Sequence, residues 1–157
     1  MFRAALLSIG LLCATPAAAQ ESQWVMAGSG QSGDYISVTF IDTMTAQYNG
    51  DVITIWEYTV TATLSGNSNL EFSAMSLMEY NCKTSKYRNI HNTIYGNKFP
   101  QSEDTPNASW SYVVPGTKGM QSYRITCGFE DGMALPPRYD PKDNTDHIRR
   151  SLRNSVR

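Results

Sequence analysis

Histidine is nearly absent: His91 and His147 are the only two in 157 residues. So few imidazoles leave little material for a histidine-based catalytic constellation, and neither G-x-S-x-G nor H-E-x-x-H occurs. His91 is expected on a strand that shares a face with Asn89 and Thr93, and His147 in a basic tail. A solvated or part-buried imidazole is the ordinary outcome at such positions. Charge of one sign is missing too. The chain has 13 Lys and Arg against 14 Asp and Glu, which excludes the strongly basic surface of a dedicated nucleic-acid binder. No apolar run after residue 20 approaches the roughly 18 residues that cross a bilayer, so no transmembrane segment is expected in the mature chain. These patterns name no catalytic residue, no metal-ligand set and no cofactor.

Cysteine is scarce as well, and its placement is informative. Cys13 lies in an N-terminal segment with Arg3, an apolar stretch from Ala4 to Ala14 and the small residues Ala17-Ala18-Ala19. That order is a bacterial-type secretory signal peptide over residues 1–19, with cleavage between Ala19 and Gln20. Lipid attachment at Cys13 is the weaker reading, because Leu11-Leu12 stand where small residues are needed. The mature chain of 138 residues suits one domain. It is expected to be exported, periplasmic or secreted, with surface association open. In that oxidising compartment the even pair Cys82 and Cys127 is read as a disulfide.

What is present reads mostly as strand. Tyr35 to Ile41 alternates, with Ile36, Val38 and Phe40 on one face. Asn49-Gly50 is a hairpin signal, expected as a type I′ turn between Thr45–Tyr48 and a long strand from Val52 to Leu64. In that long strand Val52, Trp56, Tyr58 and Val60 share one side, and Ile53 and Ile55 the other. After a turn over residues 65–69, Leu70, Phe72, Ala74, Met78, Tyr80 and Cys82 line one face of the next strand, opposite Glu71, Ser73, Glu79 and Asn81. Tyr87 to Tyr95 is a further strand, with Ile90 and Ile94 expected on one face. Asn97 to Ala108 is read as a loop, and Trp110 to Val114 as the last strand. From Lys118 to Cys127 helix and strand are close alternatives; Thr117 is a helix N-cap and Gly128 a C-terminal stop.

Gly28 to Gly33 lies between strands and is read as a flexible hairpin loop, not a phosphate cradle. The aromatics Trp24, Trp56, Trp110, Tyr58 and Tyr80 are core candidates by strand phase, and would be partner anchors if several faced outward together. Met75 and Met78 are read as packing between sheet and helix. Residues 20–130 form the body, with six basic against ten acidic residues. Residues 131–157 form a Pro-rich basic tail, with six against four. Its first part reads as an extended linker. Asp146 to Arg153 offers only Ile148 and Leu152 as apolar anchors, too few to hold a helix in place. Asp140, Asp143, Asn144, Asp146 and His147 lack the order of a calcium loop and read as solvated tail. Several strands joined by turns indicate an antiparallel sheet in an all-β or α+β domain.

The order of these features carries a resemblance. Trp24 opens the body, Tyr35 leads into a strand ending near Asp42, and Asn49-Gly50 precedes Val52-Ile53-Thr54-Ile55-Trp56. Then come Glu79-Tyr80-Asn81-Cys82, Arg88, Trp110, Val114-Pro115-Gly116-Thr117 and Cys127. From about Gln23 to Phe129 the chain resembles the surface-adhesin protein E family of small exported bacterial proteins. The resemblance implies an α+β fold: a single curved antiparallel sheet of about six strands, with a short C-terminal helix tied to it by a Cys82–Cys127 disulfide. It implies a non-enzymatic binding protein whose partner is a host-matrix or envelope component, and a dimer is compatible with it. The chain departs from a family adhesin in having no evident lipid anchor and in carrying the tail after Asp131. The alternative reading is a periplasmic small-ligand-binding or envelope-assembly module. A secreted hydrolase is disfavoured for want of acid and base groups.

Overall fold

The computed structural model describes residues 22–66, 70–96, 99–105, 107–136 and 139–156. The expected signal peptide with Cys13 and the Ala19–Gln20 cleavage point lies outside them, as do part of the 65–69 turn and Asn97, Lys98, Pro106 and Pro137. Among the described residues eight strands form one antiparallel sheet. They are β1 (Trp24–Ser32), β2 (Tyr35–Asn49), β3 (Val52–Thr63), β4 (Phe72–Asn81), β5 (Lys86–Gly96), β6 (Phe99–Asp104), β7 (Ser111–Tyr112) and β8 (Met133–Ala134), with helices α1 (Lys118–Thr126) and α2 (Thr145–Asn154). The spatial order is β6-β5-β4-β3-β2-β1-β8, and β7 also pairs with β5. The α+β expectation holds, with eight strands where about six were expected.

The differences have local causes. Thr45–Tyr48 is no separate strand but the end of β2, which runs on through an irregularity between Asp42 and Gln47. The segment Gly28–Ser32, expected as a loop, is the second half of β1, paired with β2 from Gly28↔Thr39 to Ser32↔Tyr35. Helix α1 lies close there: a Cβ on Gly28 would stand 1.8 Å from the end of the Gln121 side chain, which would have to move aside. Part of the expected 97–108 loop is β6, an edge strand in which Pro100 sits opposite Tyr95; an edge tolerates the missing N–H. The hairpin at residues 49–52 is where it was expected, but Asn49 pairs with Val52 and only Gly50 has positive φ, +61°. A glycine alone at the first central position is the II′ pattern, not I′.

Each face of the sheet is covered by one helix. On the first, Ile41, Ile55, Met78, Tyr80 and Val113 pack with Tyr123 of α1. The helix starts where expected, with Thr117 accepting a hydrogen bond from the Met120 N–H, and Gly128 at φ +74° ends it. Cys82 and Cys127 form the expected disulfide, with Cα atoms 5.6 Å apart.

On the opposite face Trp24, Val38, Phe40, Tyr58 and Val60 pack with Ile148 of α2, and Met26, Met75, Leu135 and Leu152 border them. The tail is therefore not detached. Its Met133–Ala134 pairs with β1, Pro141 is fully buried, and α2 lies across the sheet. Two apolar anchors suffice because the sheet supplies Trp24 and Tyr58 as a large apolar floor. Two polar ties add to them: Tyr58 to the Thr145 hydroxyl at 2.7 Å, and Arg153 to the Glu71 carboxylate at 2.5 Å.

Candidate functional site

Strand phase aims Trp56, Leu77, Glu79 and His91 at the α2 face, since Trp56 pairs with Leu77 and Leu77 with His91. The α2 core centres on Trp24, Phe40, Tyr58 and Val60; this end of the face lies beyond it. Here a cleft of about 600 Å³ is lined by Trp56, Leu77, Glu79, Ile90, His91 and Asp104. A β-bulge between Leu77 and Met78 shapes it. The bulge leaves Ile90 as the extra residue, so Ile90 lines the cleft while Ile94 pairs with Ala74 on the α1 face. The two isoleucines expected on one face are thus separated, and Asn89 parts from His91 for the same reason.

Aromatic and charged groups hold one another around the cleft. The Trp56 and His91 rings meet edge to face at 5.6 Å. Arg88 donates to Glu79 at 2.5 Å, and its guanidinium lies 4.7 Å from the Trp110 ring centre, a cation–π geometry. Both Trp56 and Trp110 stay half-buried, whereas Trp24, Tyr58 and Tyr80 are buried. The five aromatics named from sequence thus divide into three core residues and two that border open space.

His91 also sits in a polar chain that its sequence neighbourhood did not signal. Its Nδ1 faces the Asp104 carboxylate, and its Nε2 lies 3.0 Å from the Thr93 hydroxyl and 3.3 Å from that of Ser102. The cross-strand pairs His91↔Asp104 and Thr93↔Ser102 bring these groups together. Once β6 is recognised as a strand, the two-residue spacing of Ser102 and Asp104 matches that of His91 and Thr93 and is the signal that finds them. The order Ser, His, Asp has the connectivity of a hydrolase triad. Yet the Asp104 side chain is 80% exposed, and water and salt screen a carboxylate there.

A different titratable cluster lies under α1. Glu57 is buried, accepts from the Tyr80 hydroxyl at 2.5 Å, and stands near Ser122 and Lys118. Burial pushes its carboxyl up, against the opposing pull of the Tyr80 and Ser122 hydrogen bonds and the Lys118 charge. Burial also lowers Lys118, against the attraction of Glu57, and the Lys118 ammonium donates to Ser37. This cluster joins helix to sheet in the interior.

His147 is exposed near the start of α2, away from His91. Asp140 pairs with Lys142 at 3.3 Å and Asp146 meets Arg149 at 3.5 Å, so these carboxylates serve the turn and the helix. Met75 borders the α2 core and Met78 lies in the α1 core, the packing role expected of them. No group of three or more His, Cys, Asp or Glu arranged to hold a metal occurs among the described residues, and no described helix is long and apolar enough to cross a membrane.

The family model described as Surface-adhesin protein E matches residues 24–128. The chain belongs to this family. Comparison with curated proteins and with solved structures yields no match. The surface-adhesin protein E match runs from the first residue of β1 to the glycine that ends α1, one residue past Cys127. It includes Trp56, His91, Asp104, Trp110 and the disulfide. Strand β8 and helix α2 lie beyond it.

Proposed function

We propose that the chain is an exported, non-enzymatic, adhesin-like protein that holds a macromolecular partner on the uncovered end of its α2 face. The observation that carries this reading is Trp56, half-buried on the wall of an open cleft, with the half-buried Trp110 stacked on Arg88, the partner of the cleft residue Glu79, while Trp24, Tyr58 and Tyr80 are enclosed. Aromatic side chains bury much area for little rotamer entropy, and Arg88 beside Trp110 adds a second residue type favoured at interface centres. The partner expected is a protein of the host matrix or of the bacterial envelope, in keeping with the surface-adhesin description of the family. Export is supported by the N-terminal order of Arg3, an apolar stretch and Ala17-Ala18-Ala19, read as a signal peptide cleaved between Ala19 and Gln20. Exposure of Asp104, and the sharing of His91 Nε2 by two hydroxyls, favour a binding role for the polar chain over a catalytic one.

The test is capture from matrix proteins and envelope extracts by the purified mature protein. Trp56→Ala with Trp110→Ala should abolish capture and leave the fold's circular dichroism intact. Capture unchanged by the double substitution overturns the assignment of the surface. Labelling of Ser102 by an organophosphate, lost in His91→Ala, overturns the non-enzymatic reading.

A cleft of about 600 Å³ also suits a small molecule, which favours the periplasmic ligand-binding reading as the alternative. Retention of a small molecule through Trp56, with no macromolecule captured, selects it.

A further inference from the structure

A second cleft, of about 700 Å³, opens on the α2 face where the N-terminal end of α2 meets β3, β4 and β5. Its floor includes Tyr58, Ser73 and Tyr95, and its wall runs along α2 to Arg149 and Arg150. Tyr58 already uses its hydroxyl on Thr145. Tyr95, 44% exposed, is the aromatic surface left open.

The wall holds two arginines whose charge is poorly used. Arg149 reaches Asp146 only through Nη1 at 3.5 Å, and its buried Nε has no hydrogen-bond partner among the described residues. A buried donor left unmatched in this way is uncommon and calls for a reason. Arg150 is exposed. The helix start adds donors, because Asn144 makes no side-chain cap and instead donates its amide to the Asp140 carbonyl. Asp143 and Asp146 line the same cleft and contribute acceptors.

A bare phosphate would use the arginines but leave the open Tyr95 ring and the acceptors Asp143 and Asp146 unused. A neutral sugar would leave the arginines unused. A ligand with one anionic group, several hydroxyls and an apolar ring face uses all of them: carboxylate on arginine, hydroxyls on Ser73 and the aspartates, ring face on tyrosine. We propose that this cleft binds an acidic sugar, a hexuronate or sialic-acid unit of a glycan, with its carboxylate at Arg149 and Arg150 and its ring against Tyr95. The site is separate from the Trp56 cleft and does not depend on the assignment made there.

The experiment is titration calorimetry of the mature protein with sialyllactose and with an unsulfated hexuronate tetrasaccharide, against lactose and sodium sulfate. At least one acidic sugar should saturate the protein, and lactose should bind roughly tenfold more weakly or not at all, the loss expected for one charge-assisted contact. Arg150→Ala and Tyr95→Ala alter exposed side chains; each should weaken acidic-sugar binding by about fivefold to tenfold with the melting temperature unchanged. Trp56→Ala should leave it as it is. Absence of saturable binding by both acidic sugars, equal binding of lactose, sulfate binding as tight as that of the sugars, or indifference to both substitutions overturns the proposal.

Discussion

The two faces of this sheet are closed by different means. Helix α1 is capped by Thr117, ended by Gly128 and stapled to the end of β4 by Cys82–Cys127, and it encloses polar groups that include Glu57 and Lys118. Helix α2 has no staple and no side-chain cap. It rests on an apolar floor through Ile148 and Leu152, and is tied by Thr145 to Tyr58 and by Arg153 to Glu71. The α1 side lies inside the family match and α2 lies outside it. Both clefts open on the α2 face. One face is fixed covalently; the other is closed over part of its area and open over the remainder.

Removing the tail breaks that contrast most severely. A chain ending at Glu130 loses β8 and α2 and uncovers Trp24, Phe40 and Tyr58. If this strips cover from about 200 Å² of apolar surface, the loss is on the order of 5 kcal/mol. Denaturant unfolding of the truncated and mature chains measures it. A midpoint equal to that of the mature chain would mean that the docked tail adds nothing to stability.

Cutting the staple should come next. The disulfide closes 45 residues of sequence separation, and a loop of that length stabilises by about 4 kcal/mol in the chain-entropy model. Cys82→Ala with Cys127→Ala should lower stability by that amount and loosen α1 first. Hydrogen exchange should then show α1 amides less protected than those of β2 and β3. Equal loss of protection on both faces would show that the two helices form one cooperative unit.

The sequence made one side of this comparison readable and hid much of the other. Strand phase separated Ile53 and Ile55 from Trp56, Tyr58 and Val60 because side chains alternate whatever covers them. Thr117, Gly128 and the cysteine pair marked α1. Helix α2 was illegible because its stability resides in the floor beneath it: Ile148 and Leu152 look insufficient until Trp24 and Tyr58 are known to lie under them. Pro100 concealed β6, since an edge strand accepts a proline that a central strand would reject. The bulge at Ile90 is one residue long and leaves no mark in the alternation. The Trp56 cleft was legible only as a list of aromatics, because phase says which way a side chain points and not whether anything lies above it.

A smaller effect is expected where the unstapled helix is tied by charge. Glu71 is nearly enclosed, its side chain 6% exposed, and takes hydrogen bonds from Arg153 and from the Thr63 N–H. Arg153→Ala leaves that carboxylate short of a partner and should cost about 2 kcal/mol, above the fraction typical of an exposed ion pair. Glu71→Gln with Arg153→Ala should recover part of the loss in thermal unfolding. A single-variant cost below about 0.5 kcal/mol would place this bridge among ordinary surface pairs.

The smallest net change at neutral pH is expected on the α1 face, at Glu57. Burial raises its folded-state pKa above the ordinary value of 4.5, so the folded chain binds this proton more tightly than the unfolded chain does. By linkage, Glu57 supports folding most below the unfolded pKa, and that support is lost as pH rises through the folded pKa. The groups that face it, Tyr80, Ser122 and Lys118, all favour the charged form and oppose the rise, while Ser76 stands opposite on β4. Glu57→Gln removes the titration and retains an acceptor for the Tyr80 hydroxyl. The variant should differ from the parent by no more than about 1 kcal/mol at pH 7, a hydrogen-bond-sized change. Its stability relative to the parent should improve as pH rises above 4.5, because only the parent then bears the cost of a buried charge. Unfolding curves between pH 4 and pH 8 test this. A relative stability that falls with pH would mean that Lys118 and the two hydroxyls outweigh burial, making Glu57 a stabilising anion beneath the stapled helix.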